Sequence, residues 1–351
     1  MKKSQYINDA SKIFDKEDRK TKILFFSDKD GTTNMTKEGK LVDALREINR
    51  SHGMYVLASG RTGMDCVAEL EKTGANREEG TLPKYVGCDN GAAIIRTDTQ
   101  EIVFQTALLP EDTKKIIGMY LKMGGKPEGI RATNIDKIMA EKSSPDAMEY
   151  YKGKQRLLNA VDDLASYLMG DEVENLNKIT LTVSEEQKII LKEKLEKMGF
   201  YVDYGKSSFL SQHGKKDKWI LDIQKTSKAA IANFFLQEIH PDTIVVMGNS
   251  YNDVELMKKV IDSNVKNKII MLVTNPSDKE EKKVNRDNAK ITKVIYEDLK
   301  EFGKDKDAHI LLIPPNPQLV NNVLKELTEG KTLNKDKTFP GKVQLMDEEE
   351  R

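Results

Sequence analysis

The stretch Ile23-Leu24-Phe25-Phe26-Ser27-Asp28-Lys29-Asp30-Gly31-Thr32-Thr33 constrains this chain more than any other part of it. Four large apolar residues and a serine have the length and composition of a buried strand. They stop at two carboxylates spaced one residue apart, followed by a glycine and two hydroxyls. Side chains of a strand alternate, so positions two apart point the same way. Beyond the strand end both acids can converge on one point. That is the layout of a carboxylate nucleophile with a proton-handling partner next to a divalent cation.

Strands alternating with helical patterns continue from there. Leu41, Val42, Leu45 and Ile48 form one helical stripe, which Gly53 ends. Met54 to Ala58 reads as a second strand running into Ser59-Gly60-Arg61-Thr62, and Tyr85 to Cys88 as a third ending at Asn90-Gly91. This order predicts a parallel sheet with crossover helices, and such sheets bind ligands at the carboxyl ends of their strands. Near residue 107 the pattern changes. A helix over 111–124 leads into a polar region to about 176, then an alternating strand over 178–183, a charged helix over 185–198 and a strand over 200–204. These read as a separate α+β insertion. From 219 the parallel pattern is expected to resume: a strand over 219–223, a helix over 227–238, strands over 243–247 and 268–273, a helix over 252–260 and a short strand over 292–296.

The expected division is an N-terminal arm (1–17), a core (18–106 and 217–303), a cap domain (107–216) and a partly disordered extension (304–351). That extension holds Ile310 to Ile313, then Pro314, Pro315 and Pro317, and the acidic end Asp347 to Glu350.

Composition removes several classes of function. The 351 residues carry 57 Lys+Arg against 57 Asp+Glu, a balance that argues against a dedicated nucleic-acid binder, which needs a basic face. Cys66 and Cys88 have no metal spacing and form no disulfide framework, so a reducing compartment is expected. The start is basic without the apolar stretch of a signal peptide, and runs such as Ile269 to Val273 are far shorter than the ~20 residues that span a bilayer. No membrane partner and a cytoplasmic location are the expectations.

Four polar stations lie at expected strand or helix ends: Asp28-x-Asp30-Gly31-Thr32, Ser59, Lys228 after Thr226-Ser227, and Gly248-Asn249-Ser250-Tyr251-Asn252-Asp253 after Val245-Val246-Met247. A phosphoryl group needs cations and hydrogen-bond donors around its oxygens, which a hydroxyl and a lysine supply. Two acids would repel that dianion unless a metal intervened. Mg²⁺ takes hard oxygen ligands, and Asp28, the Asp30 carbonyl and the 248–253 loop offer them.

Taken together and in this order, Asp28 to Thr32, Ala58-Ser59-Gly60-Arg61, Asn90-Gly91-Ala92, Ser227-Lys228, Gly248 to Asp253 and Val273-Thr274-Asn275-Pro276 resemble the motifs of the haloacid dehalogenase superfamily. The branch most similar has a large cap between the second and third motifs: the Cof-type and sugar-phosphate phosphatases. The resemblance covers about 18–303. It implies a Rossmann-like parallel-sheet core with a C2-type α+β cap, and Mg²⁺-dependent hydrolysis of a small phosphorylated metabolite, a sugar phosphate above all.

By position it makes Asp28 the nucleophile that forms an aspartyl-phosphate and Asp30 the acid, then base. Ser59, Gly60, Lys228 and Asn252 become phosphate-binding residues, with Lys228 also holding Asp28. Asp28, Asp30, Asn249 and Asp253 become the metal ligands. Lys126 and Arg131, flanking the turn Gly124-Gly125, are cap candidates for the rest of the substrate.

Two departures from the family pattern stand out. The last motif opens Gly248-Asn249 where the family usually has Gly-Asp, which removes one negative charge and predicts weaker metal affinity. Lys29 between the acids is similar to the phosphorylation motif of cation-pumping ATPases, but no membrane span accompanies it and Asp30 replaces the pump's threonine. Each motif also has a plainer reading alone: Asp28 and Asp30 as a cap and turn pair, Ser59, Asn252 and Asp253 as helix caps, Lys228 as a surface lysine, Asn90-Gly91 as a turn. His52, His213, His240 and His309 show no ligand spacing. Two alternatives stand beside hydrolysis. A phosphomannomutase-type phosphomutase would need a cap rich in arginine, and 107–216 holds only Arg131 and Arg156. A catalytically weakened protein would act as a binding module, a reading that Asn249 motivates.

Overall fold

A computed structural model of the chain describes residues 10–28, 48, 52–72, 82–150, 158–205, 217–273 and 282–313. The described residues contain strands β1 (Ile23–Asp28), β2 (Gly53–Ala58), β3 (Tyr85–Cys88), β4 (Ala93–Arg96) and β5 (Glu101–Gln105). Next come β6 (Ile130–Thr133), β7 (Ile138–Glu141), β8 (Leu158–Val161), β9 (Lys178–Val183), β10 (Tyr201–Gly205) and β11 (Trp219–Gln224). The last three are β12 (Thr243–Gly248), β13 (Asn267–Val273) and β14 (Ala308–Ile313). They fall into two compact units, one built from Ser59–Glu69 and Val86–Ala230, the other from Ala10–Ala58, Leu70–Tyr85 and the residues from Ile231 onward.

In the second of these, five strands lie in the order β14-β13-β12-β1-β2, each pair parallel. All of β1 is buried, and so is β12 after its first residue. Unbroken apolar runs such as Ile23 to Phe26 and Ile244 to Met247 are what a parallel strand covered on both faces requires. Beside the sheet an aromatic cluster forms. Phe235 lies 5.3 Å from both Phe14 and Tyr85 and 5.8 Å from Phe26, centroid to centroid. Each such ring contributes about 1.5–3 kcal/mol when fully buried. Phe14 is thereby fixed in the core although it belongs to the expected arm. The Tyr85 hydroxyl donates to Asp18 at 3.0 Å, and Lys84 pairs with the same carboxylate at 2.6 Å.

Two expectations about the end of this unit fail. Residues 292–296 are not a strand but part of a 22-residue helix, Lys282–Gly303. Thr292, Ile295 and Leu299 are buried, spaced three and four apart, so the helical period outweighs the β-branched look of the run. Ala308–Ile313, placed in the extension, pairs parallel with β13 from Lys268↔Ala308 to Val273↔Ile313.

The first unit contains a second sheet in the order β10-β11-β9-β6-β7-β8, antiparallel except for β7 with β8. Trp219 to Ile223 therefore does not resume the parallel pattern: it pairs antiparallel with β9 and β10. One face of this sheet presents Ile179, Leu181, Leu221, Ile223 and Val202, packed with Ile116, Ile117 and Tyr120 of helix Pro110–Lys122 and Leu191 and Leu195 of helix Glu185–Lys197. The alternate positions Arg131, Thr133, Lys178, Thr180, Asp203, Asp222 and Gln224 share the opposite face, as the two-residue period of a strand demands. In the same unit β4 and β5 pair as an antiparallel hairpin whose register shifts between Ile94 and Ile95.

Candidate active site

Residues singled out in the sequence lie in both units. Asp28, Asn249, Asn252 and Asp253 belong to the one with the parallel sheet, and Ser59, Gly60 and Lys228 to the other. Asp30, with Gly31 and Thr32, lies outside the described residues.

Asp28 closes β1 and is 5% exposed. Strand β12 runs alongside in register, Ser27 opposite Met247, so both chains leave the sheet side by side. Beyond that point β12 enters the loop Gly248 to Ser250 and then helix Tyr251–Ile261, capped by Ser250 with Asp253 in its first turn. Asp253 is 1% exposed, and its Oδ2 accepts from the backbone N–H of Asn249 (3.0 Å) and of Ser250 (3.2 Å). A carboxylate at a helix N-terminus is also favoured by the helix dipole. Gly248 is obligatory here, because a Cβ would sit 2.7 Å from the Asp253 carboxyl carbon. Asn249 is buried and its carbonyl accepts from Thr292 at 3.4 Å. Asn252 is half-buried in the first turn, paired with the Ser250 hydroxyl.

The parallel sheet thus brings two buried carboxylates and one amide to the ends of adjacent strands. All three offer oxygen, the donor type of a hard divalent cation. Among the described residues no three His, Cys, Asp or Glu side chains converge on a metal position, the third donor here being an amide.

In the other unit, Ser59 and Gly60 follow β2. The Ser59 N–H donates to Gly87 (2.8 Å) and its carbonyl accepts from Asn90 (2.9 Å), which locks the loop to the turn after β3. Its hydroxyl accepts from the Arg61 N–H at 3.2 Å. Gly91 has φ +90°, and a Cβ on it would meet the Ser227 carbonyl at 2.4 Å and Lys228 Cα at 3.0 Å. This close approach seats Lys228, which is 0% exposed, against the Asn90-Gly91 turn. The plainer reading of Lys228 as a surface lysine fails. Lys126 and Arg131 both line a cavity of about 490 Å³ together with Glu128, Asp146 and Lys218.

A buried polar network that sequence reasoning missed surrounds these residues. Lys178 reaches the Gly60 carbonyl at 2.8 Å and Asp222 at 3.0 Å, and Thr180 donates to Asp222 at 2.5 Å. Asp89 is fully buried and accepts from Thr133 (3.0 Å) and Asn177 (2.9 Å). Burial pushes the Asp89 carboxyl up to about 6, against the pull of Lys178 and of those two hydrogen bonds. Burial, then the neighbouring Asp222 charge, pushes Asp203 up to about 6 as well. For Asp203 and Asp222 the available signal was an acidic residue inside a strand, where Asp is depleted.

The Asp89 shift has a consequence for stability. Its carboxyl ionises near 6 in the fold against an ordinary 3.8, so on titration the unfolded chain loses this proton first. Asp89 therefore contributes most at low pH, and that contribution is lost as pH rises from about 4 through 6. Asp89→Asn does not titrate. Melting curves should show the wild type losing ground to the variant between pH 4 and pH 7. Parallel Tm–pH profiles for the two proteins would contradict this.

Among the described residues no helix is long and apolar enough to cross a membrane. The family model of haloacid dehalogenase-like hydrolases matches residues 25–271 of the chain. No curated protein matches it. A haloacid dehalogenase-like hydrolase from Bacteroides thetaiotaomicron is 17% identical, with a TM-score of 0.56 over 87% of this chain and 99% of its own. A Thermotoga maritima protein is 17% identical, with a TM-score of 0.58 over 89% of this chain and 98% of its own. A structure described as a subclass IIB sugar phosphatase is 14% identical, with a TM-score of 0.55 over 88% of this chain and 99% of its own. At such identities the likeness is one of fold.

Proposed function

The chain belongs to the haloacid dehalogenase-like hydrolases, an α/β family, and on that premise we propose that it is a Mg²⁺-dependent phosphomonoester hydrolase acting on a small sugar phosphate. The observation that carries the reading is the placement of Asp28: buried, at the carboxyl end of a central parallel strand, beside a second strand whose end leads to buried Asp253. Open α/β sheets bind ligands at such strand ends.

In this reading Asp28 forms a bond to phosphorus as the bond to the leaving oxygen breaks, and Asp30 gives that oxygen its proton. Asp30 then takes a proton from water, whose oxygen displaces the Asp28 carboxylate and releases inorganic phosphate. Ser59, Gly60, Lys228 and Asn252 keep the phosphate-binding role that family resemblance assigns them. A buried lysine suits that role, since a desolvated cation attracts an anion far more strongly than one in water. Asp28, Asp30, Asn249 and Asp253 would hold Mg²⁺, which when bound neutralises charge on the phosphoryl group. The sugar-phosphate assignment takes support from the named activity of the subclass IIB relative.

Phosphate release from a panel of sugar phosphates and p-nitrophenyl phosphate tests the reading. Turnover is expected with Mg²⁺ and should stop when EDTA removes it. No turnover of any substrate even at high Mg²⁺ would replace hydrolysis with the binding-module reading, which the amide at Asn249 favours.

A further inference from the structure

The loop that follows β2 is tied down carbonyl by carbonyl. The Ser59 carbonyl accepts from the Asn90 N–H at 2.9 Å, that of Arg61 from the Asp89 N–H at 2.8 Å and that of Thr62 from the Cys66 N–H at 3.1 Å. Gly60 differs. Its carbonyl accepts from the ammonium of Lys178, 118 residues away in sequence, at 2.8 Å. Lys178 is buried. Asp222, opposite Thr180 on the neighbouring strand, holds the same ammonium at 3.0 Å while it accepts from the Thr180 hydroxyl. A buried ion pair adds little net stability, because the cost of desolvating two charges offsets their attraction. The apolar core of this unit also lies on the other face of the sheet. Stability therefore does not explain a buried cation aimed at one loop carbonyl.

The Gly60 carbonyl shares a planar trans peptide with the Arg61 N–H, and the two point in opposite directions. Anchoring the carbonyl on Lys178 therefore aims that N–H, which donates to the Ser59 hydroxyl oxygen at 3.2 Å. We propose that Lys178 is a positioning residue which, acting through this peptide, sets the Ser59 hydroxyl for a phosphoryl oxygen. This rests on the phosphatase reading above, in which Ser59 binds phosphate. The contacts run from the Thr180 hydroxyl to Asp222, to Lys178, to the Gly60–Arg61 peptide and so to Ser59 Oγ. Because Oγ accepts from Arg61, its own proton is left to donate. A cation on the carbonyl polarises the peptide, which strengthens the Arg61 N–H as a donor and, in turn, the serine O–H. Lys178 thus fixes the hydroxyl and makes it a better donor without itself touching the ligand.

A double-mutant cycle tests this. Ser59→Ala should lower kcat/KM for p-nitrophenyl phosphate about 100-fold, the size of a lost transition-state donor. Lys178→Met should lower it about 10-fold through misplacement of that donor. In Ser59→Ala protein the same change should cost less than ~2-fold, since the hydroxyl it serves is gone. The Kd of inorganic phosphate, measured by calorimetry with Mg²⁺ present, should follow the same pattern: weaker binding in Lys178→Met, and no further weakening once Ser59 is replaced. A cation acting directly on the phosphate, or one that only held the fold, would cost as much in either background. Equal losses in the two backgrounds, or no loss from Lys178→Met, therefore overturn the proposal. Should Lys178→Met unfold the protein by leaving Asp222 unpaired, as its Tm would show, Lys178→Met combined with Asp222→Leu removes both charges and takes its place in the cycle. Phosphate binding that shows this coupling in a protein without turnover upholds the positioning role and sinks only the phosphatase reading. Absence of both turnover and phosphate binding overturns both.

Discussion

Asp28→Asn is expected to lower the rate of Mg²⁺-dependent phosphate release by at least about 10³-fold, on the order of 4 kcal/mol of transition-state stabilisation. The amide has nearly the shape of the carboxylate but is a far poorer nucleophile toward phosphorus. Asp28 is 5% exposed at the end of a fully buried strand, so an isosteric change there should leave the fold intact. Far-ultraviolet circular dichroism and Tm check that part. Retained turnover in a folded Asp28→Asn protein would remove Asp28 from the chemistry and leave the motif as a cap and turn pair.

Gly91→Ala is the second large effect, and it acts on the backbone. The φ of +90° is disfavoured for any residue with a Cβ by about 1–2 kcal/mol. The new methyl would also stand 2.4 Å from the Ser227 carbonyl oxygen, and backbone cannot rotate away as a side chain can. Overpacking of this kind costs about 1–3 kcal/mol more. The sum, roughly 2–5 kcal/mol, should lower Tm by on the order of 5–10 °C. Because the clash pushes on the segment carrying Lys228, kcat/KM should fall as well. A variant with the wild-type Tm would show that the Ser227-Lys228 segment is not pressed against the turn after β3.

What was legible in the sequence follows from the range of each signal. The strands Ile23–Asp28, Tyr85–Cys88 and Lys178–Val183 were readable because each is an apolar or alternating run with its stop signal beside it. Helix Tyr251–Ile261 was readable because Ser250 and Asp253 cap it within its own first turn. The strand expected at 292–296 shows where this breaks down. Ile291, Thr292, Val294 and Ile295 have strand-like composition, and only the burial of Thr292, Ile295 and Leu299 on one side reveals the helix. Ala308–Ile313 was passed over because its charged approach and trailing prolines looked like the start of a tail, while its partner, β13, is over 30 residues earlier in the chain.

The candidate site divides in the same way. Asp28, Ser59, Lys228, Asn249 and Asp253 announce themselves by sequence, because each follows an apolar run or opens a helix. Asp89, Asn177, Lys178, Asp203, Asp222 and Gln224 do not. By sequence alone Lys178, Asp203, Asp222 and Gln224 are polar residues on strands and Asp89 and Asn177 are polar residues beside strand ends, indistinguishable from a solvated face. The sequence by itself determined the parallel core, the order of its motifs and the family to which they belong, since those depend on residues adjacent in the chain. Only the tertiary structure decided that Trp219–Gln224 runs antiparallel between β9 and β10, that Lys228 is buried, and that Lys178 and Thr180 meet Asp222 on one face of that sheet. Strand pairing joins segments tens of residues apart, and a one-residue change of register would exchange the two faces of the sheet.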